Sequence, residues 1–327
     1  MKVAVFTSLT GSYLPNGRIL AKSVKKICPE WDMVLLFNDR TPEEVDWNEE
    51  PFDKVVFAEW LPINRPWHKW AFDYSVIEFC TATKGVMTEY LMDNFDYDLV
   101  IYMDPDTCLF TPLTEIIEMV EKKKADVFLT PHLTDAEDSE YSIWSHEMAA
   151  LKHGTFNLGF FAYANTKNGR KALRWWSERL LDYSHIDFNR GLFTDQKWAN
   201  LMPYMFEGVH VILDKAYNIA TWNMTNRDIS YSKDGKWMVN DQPVRFYHFS
   251  GFGHDFAWAD SELSKLAAGK TDLKKLWDHY KKMYVDNSLQ NMNVKWHWGV
   301  TNTGNEITAQ MRELARNMDI INPYNHF

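Results

Sequence analysis

Leu99-Val-Ile-Tyr-Met-Asp-Pro-Asp-Thr107 is an apolar run that ends in two aspartates one residue apart. Side chains in a strand alternate faces with a period of 2, so the spacing predicts Asp104 and Asp106 on one side where a strand ends. Pro105 has no N–H for a ladder, which suits a strand terminus better than a strand centre. Two hard carboxylate oxygens at an open strand end suit Mg²⁺ or Mn²⁺ and leave room for substrate phosphates. Taken alone the motif is common, and a polar strand end feeding a turn is the plainer reading. The rest of the chain decides between the two.

On either side of this run, short apolar stretches alternate with amphipathic ones, which predicts an α/β layer built on a mainly parallel sheet. Val3–Thr7, Met33–Phe37 and Val55–Phe57 read as strands, and Asn38–Pro51 as a loop. Ile19, Leu20, Val24 and Ile27 recur at helical spacing until Pro29 stops the helix. Phe72–Met92 reads as one long helix, mildly interrupted by Gly85. After the aspartates come a helix near Leu113–Lys124 and a strand at Val127–Thr130, then Leu133–Thr155 as a polar loop or short helix. Leu158–Tyr163, Val209–Leu213 and Val244–Phe249 read as strands, Lys167–Leu181 and Gln196–Met202 as helices, and Asp228–Asp241 as a hairpin. This order puts the aspartates at the carboxyl end of a strand, where open α/β sheets bind ligands.

With 327 residues the chain holds one large α/β domain or two modest ones. A formal charge of −10 speaks against nucleic acid, whose phosphates are held by clustered Lys and Arg. An acidic protein still holds an anionic ligand when a metal supplies local positive charge. Cys28, Cys80 and Cys108 are too few for a disulfide framework and have no zinc spacing, so a cytoplasmic location is expected. No secretory leader and no membrane-spanning run are expected either. The 15 tryptophans serve packing, and aromatic faces also suit sugar rings.

Four further segments combine polar groups with element ends. Thr155-Phe-Asn-Leu-Gly-Phe-Phe161 puts Asn157 before an apolar strand, with Gly159 allowing close backbone approach. Thr194-Asp-Gln-Lys-Trp198 puts Asp195 and Gln196 at a helix start, where Asp195 alone reads most simply as a cap. Tyr247-His-Phe-Ser-Gly251 puts His248 at a strand end, where a structural histidine is the plainer reading. Thr81-Ala-Thr-Lys84 offers a cation, or merely a solvated helix face. Together, in this order around Asp-x-Asp, they favour a site.

The series Tyr102-Met-Asp-Pro-Asp106, Phe156-Asn-Leu-Gly159, Asp195-Gln196 and His248-Phe-Ser-Gly251 resembles the retaining glycosyltransferases of the GT-A fold. Within these it is most similar to glycosyltransferase family 8, of the glycogenin and bacterial galactosyltransferase type, and to bacterial surface-polysaccharide relatives. The resemblance implies a GT-A, Rossmann-like, mainly parallel sheet flanked by helices, with a helical C-terminal extension. It also implies transfer of a sugar from a nucleotide-diphosphate sugar, UDP-hexose foremost, to a hydroxyl of a glycan or glycolipid with retention of configuration. Asp104, Asp106 and His248 would hold Mn²⁺ (or Mg²⁺). Asn157, Asp195 and Gln196 would line the donor sugar, with Gln196 nearest the anomeric carbon. Thr7, Ser8 and Tyr13 would hold the nucleoside, Lys84 would contact donor sugar or phosphate, and Gly251 would sit beside the diphosphate. The family's lysine in the Lys-Pro-Trp that follows this glycine is missing here, where Phe252-Gly-His-Asp255 stands, and His254 is the substitute to consider.

The division expected is a catalytic domain over residues 1–252 and a helical extension over 253–327. Front-face displacement is expected, in which the departing phosphate oxygen helps deprotonate the acceptor, with Asp195 as a transient nucleophile left open. A rival reading takes Asp104-x-Asp106 as the motif of a haloacid-dehalogenase-like phosphatase, although Cys108 departs from that pattern. Leu273–Tyr284 interleaves lysines with aromatics and is read as a solvated helix packed by its rings, with peripheral membrane contact at most.

Overall fold

The computed structural model describes residues 1–42, 45–252, 260–261, 263–265, 271–288 and 295–327. Its central strands are β1 (Val3–Leu9), β2 (Asp32–Phe37), β3 (Lys54–Phe57) and β4 (Leu99–Met103). The hairpin arm β5 (Thr107–Leu109) follows, then β6 (Val127–Pro131) and β7 (Phe156–Ala164). β1 and β4 are buried at every position. Near-continuous apolar runs are what strands need when helices cover both faces of the sheet.

The main sheet has seven strands, ordered Val209–Val211, β6, β7, β4, β1, β2, β3. All pairings are parallel except those of β7, which runs against both β4 and β6. One face packs on α1 (Leu14–Ile27) and α4 (Thr114–Glu121), through Leu20, Val24 and Ile116. The other packs on α2 (Trp67–Phe72), α3 (Val76–Phe95) and the Lys167–Tyr183 helix, through Phe72, Phe79 and Trp176. The expected α/β class with a mainly parallel sheet is the observed one.

The long helix expected over Phe72–Met92 is two helices. The break falls at Asp73–Ser75, where the Ser75 N–H donates to Glu78 Oε2 at 2.8 Å and starts α3 afresh. The Glu78 carboxyl also accepts from the Ile186 N–H at 2.7 Å. Burial works against its charge, but His185 and these N–H groups prevail and hold its pKa at about 2. Gly85 is not a mild interruption but a packing requirement: a Cβ there would lie 2.6 Å from Ser177 Cα on the Lys167–Tyr183 helix. Of the loop or short helix expected over Leu133–Thr155, Glu140–His153 takes the helical form, including a π turn at Ile143–Glu147.

In the C-terminal region, the Thr271–Asn287 helix lies against α1, where Asn16 Nδ2 donates to the Tyr280 hydroxyl at 3.0 Å. Phe249 stacks on Tyr280 with ring centroids 3.8 Å apart, and Trp277 Nε1 donates to the Tyr247 hydroxyl at 3.0 Å. The rings of this helix therefore face the core, as its pattern predicts. On the opposite face of the sheet, Trp298 and Tyr324 join the core beneath α2. Among the described residues no helix is long and apolar enough to cross a membrane.

Candidate functional site: an Asp, Asp, His cluster at the end of the central strand

β4 ends at Met103, and the next N–H, that of Asp104, donates to the Gly159 carbonyl at 2.8 Å. The chain then turns at once. The N–H and Oγ1 of Thr107 both donate to the Asp104 carbonyl, at 3.0 and 2.7 Å, with Pro105 at the turn position it favours. β5 runs back antiparallel to Phe246–His248 and sets Thr107 opposite His248. The convergence of the two aspartates thus comes from a turn, not from strand alternation.

One ligand atom from each of Asp104, Asp106 and His248 lies within 4.8 Å of the others. His248 Nε2 is 3.0 Å from Asp106 Oδ1 and 3.8 Å from Asp104 Oδ2. Two carboxylates suit a hard divalent cation, and one imidazole nitrogen moves the set toward a transition ion such as Mn²⁺. The residues present fit the implied metal. Burial opposes a charge on His248, and Asp106 followed by Asp104 overcomes it, so its pKa lies above the ordinary histidine value.

Gly159 forms the floor of this cluster. A Cβ built on it would lie 2.6 Å from His248 Cε1, 2.7 Å from Asn157 Oδ1 and 2.8 Å from Asp104 Oδ2. Gly159→Ala must therefore displace two of the three ligands. We expect Mn²⁺ affinity to fall by about 10–100-fold, as for other losses of ligand support, with the fold retained. Manganese titration followed by calorimetry and circular dichroism would show it; unaltered affinity would remove Gly159 from the site.

Lys84 is neither solvated nor idle. It lies buried beneath the cluster, donating to Asp195 Oδ2 at 2.8 Å and to the Leu158 carbonyl at 3.1 Å, with Asp104 Oδ1 at 3.6 Å. Burial alone would favour its neutral form, but Asp195 and Asp104 reverse this and raise its pKa. Asp195 precedes the short helix Gln196–Ala199 yet makes no side-chain capping bond there. Its Oδ1 accepts from the Thr194 hydroxyl at 3.1 Å, so both of its oxygens are engaged. The ion pair replaces the cap as the reason for an aspartate here.

Gln196 Oε1 accepts from the Leu158 N–H at 3.3 Å and Asn157 Nδ2 at 3.4 Å. Asn157 lies within β7 rather than before it, and its Oδ1 accepts from the Gly159 N–H and from Asn218 Nδ2. Asn157, Asp195 and Gln196 are thus brought together beside Asp104, Asp106 and His248. Tyr13 is half-buried near the aspartates: burial first, then Asp106 and Asp104, push its phenol well above the ordinary value. Thr7 and Ser8 fall elsewhere. Both are buried in β1, and the Ser8 hydroxyl is committed to the Cys80 carbonyl and Asn38 Nδ2. The Thr7 hydroxyl is buried with no hydrogen-bond partner among the described residues. Gly251 sits in the turn after Phe246–His248 with φ 82°, and His254 lies outside the described residues.

Sequence reasoning did not single out the groups that orient these residues. The Tyr102 hydroxyl donates to Asp104 Oδ1, and the ring lies 4.1 Å under Lys84 Nζ. Tyr102 precedes Asp104 by two, so strand alternation was a signal for it. His132 Nε2 is 3.3 Å from Asn157 Nδ2; burial lowers the pKa of this histidine to about 4, leaving it neutral. Trp222 packs edge to face on both His132 and His248, at 5.7 and 5.3 Å between ring centroids. Neither histidine contact has a local sequence signal.

No family model matches the chain. It is 26% identical over 234 residues to YfnD, an uncharacterized protein of Bacillus subtilis (strain 168), covering 70% of this chain and 71% of that one. It is 27% identical over 177 residues to YfnF of the same organism, also uncharacterized, covering 54% and 57%. Among solved structures it is similar to the galactosyltransferase LgtC in complex with donor and acceptor sugar analogues. That likeness has a TM-score of 0.46 and 17% identity, over 82% of this chain and 96% of that one. A glycosyltransferase involved in glycosylation of the major capsid of PBCV-1 gives a TM-score of 0.44 and 10% identity, over 81% and 100%. Mouse xyloside xylosyltransferase 1 gives 0.41 and 15%, over 76% and 97%. The likeness is one of chain path, and the site geometry stands apart from it.

Proposed function

We propose that this chain is a metal-dependent glycosyltransferase that moves a hexose from a nucleotide-diphosphate sugar, UDP-hexose foremost, to a hydroxyl of a glycan or glycolipid, with retention. The observation that carries the reading is the meeting of Asp104, Asp106 and His248 with Asp195, Gln196 and Asn157 at the carboxyl end of the central strand β4. A metal ion bound there supplies positive charge to the oxygens of a departing diphosphate, where negative charge grows. Asp104, Asp106 and His248 would hold that ion. Lys84 adds a fixed positive charge behind Asp104 and holds Asp195 in place. On this reading Tyr13 would pack against the nucleoside, and Gly251 would border the diphosphate.

Gln196 cannot act as a base at neutral pH; its amide, held by the Leu158 N–H and Asn157, would orient the donor sugar. Asp195 has both oxygens occupied, which supports front-face displacement over a nucleophilic carboxylate. The phosphatase reading needs a free first aspartate as nucleophile; Asp104 is instead tied to Tyr102 and Lys84 beside His248. Residues 1–252 would form the catalytic unit and 253–327 its extension. Three free thiols support a reducing, cytoplasmic setting.

The test is hydrolysis and transfer across a panel of nucleotide sugars with Mn²⁺, against EDTA, with the product linkage read by NMR. A metal-independent reaction, or a β-linked product from an α-linked donor, would refute it. Gln196→Ala should lower kcat roughly 10–100-fold with a smaller change in donor KM, as for an interaction made mainly in the transition state. Normal turnover would remove Gln196 from the mechanism.

A further inference from the structure

Ala216–Met224 runs past the metal ligands, with Ile219 bonded to His248 through backbone: the His248 N–H donates to its carbonyl at 2.7 Å. Every residue of this run is buried except Trp222. A large ring left partly exposed in an otherwise buried segment, packed edge to face against a metal ligand, calls for an explanation. So do two polar atoms beside it: Trp222 Nε1 and Thr221 Oγ1 are buried with no hydrogen-bond partner among the described residues. Neighbouring side chains in the same turn are bonded. Asn223 Nδ2 donates to the His132 and Asn218 carbonyls, and its Oδ1 accepts from the Ala220 N–H. Buried polar groups are nearly always paired, so two adjacent exceptions mark a place that the chain alone does not complete.

The surroundings indicate what completes it. Lys84, Asp195 and Asp104 form a charged wall on one side of the cluster, suited to the donor and its diphosphate. Trp222 and Thr221, with the His132 ring against the indole, form an uncharged aromatic and polar wall next to His248. Carbohydrates are recognised by such a combination, an aromatic face against the C–H face of the ring with nearby groups for hydroxyls. A diphosphate has no use for it.

We propose that Trp222, with Thr221 beside it, forms the binding platform for the neutral pyranose ring of the acceptor. This rests on the reading of the chain as a glycosyltransferase and specifies the acceptor side of that same site. The partly exposed indole supplies the apolar face. His132 fixes the indole from behind and links it to Asn157, so the platform is held in register with the donor-side amides.

The experiment is saturation-transfer NMR on the intact chain with methyl α- and β-glucosides, galactosides and mannosides, without nucleotide and again with UDP and Mn²⁺. At least one glycoside should receive saturation. Trp222→Leu should weaken its binding about tenfold, while Trp222→Phe, which keeps an aromatic face, should retain most of it. With a turned-over UDP-hexose, the ratio of acceptor KM to donor KM should rise at least about tenfold in Trp222→Leu. The proposal is overturned if no glycoside binds the wild-type chain, or if Trp222→Leu binds as well as wild type. It is equally overturned if UDP-hexose competes the glycoside away, which would assign the ring to the donor. Failure of UDP to bind with Mn²⁺ would count against the glycosyltransferase reading itself, whereas glycoside binding is read separately in nucleotide-free protein.

Discussion

Asp106→Ala is expected to abolish sugar transfer and the metal-dependent part of nucleotide-diphosphate binding while leaving the fold in place. Asp106 lies at the tip of the turn after β4, and its carboxylate meets His248 Nε2 at 3.0 Å. Its backbone carbonyl keeps accepting from the Phe249 N–H at 2.8 Å whatever the side chain, so the turn survives the substitution. What disappears is one of two anionic ligands. A metal that stabilises a leaving diphosphate contributes several kcal/mol to the transition state, so its loss should lower transfer by about 10³-fold or more. Asp104→Ala should behave alike, with the added release of the Tyr102 hydroxyl and of one partner of Lys84. Calorimetric titration of UDP with and without Mn²⁺, alongside a thermal melt, separates loss of the ion from loss of structure. Manganese-dependent UDP binding of wild-type strength in Asp106→Ala would end the assignment of the metal site.

Lys84→Met should carry the largest cost in stability. The ammonium is buried with Asp195 and holds its carboxylate at 2.8 Å, so removal of the cation leaves an anion buried with only the Thr194 hydroxyl. Breaking a buried pair from one side costs about 3–5 kcal/mol, because desolvation of the remaining charge is no longer offset. The double variant Lys84→Met, Asp195→Leu should lose less than the two single substitutions summed, which is the signature of a coupled pair. Denaturant unfolding of the four proteins gives the cycle. Additive losses would show that the two charges do not depend on one another. Activity should fall in each single variant as well, because Lys84 also lies 3.6 Å from Asp104.

Much of the architecture was legible without the structure. The runs of β1 and β4 are apolar enough to demand burial on both faces, and the period of Ile19, Leu20, Val24 and Ile27 describes the buried face of α1. These are local signals, and local signals predict local elements. The break before α3 was also written locally, in Ser75 and Glu78 at capping-box spacing, but the apolar period running through it obscured the cap. The Asp104, Asp106 and His248 cluster is legible because Asp-x-Asp and the His248 segment are compact motifs at element ends. How the two aspartates converge was misread, since a turn closed on the Asp104 carbonyl produces the same neighbours as strand alternation.

Tertiary structure alone decided what each remaining group is for. Asp195 at a helix start looks like a cap, and Lys84 on a helix looks like a solvated cation. Only the packing of α3 on β1 and β4, and of the Gln196–Ala199 helix on β7, brings them together across 111 residues of chain. The burial of Thr7 and Ser8 likewise depends on the strands beside β1 and on α3 above it, which no local pattern specifies. Gly159 under the ligands and Trp222 beside them are settled by β7 running antiparallel to β4 and by the pairing of Phe246–His248 with β5. Sequence determines where strands and helices begin because those choices rest on neighbours within a few residues. It leaves the roles of charged and aromatic side chains open because the free energy of a buried charge or ring depends on partners that only the fold supplies.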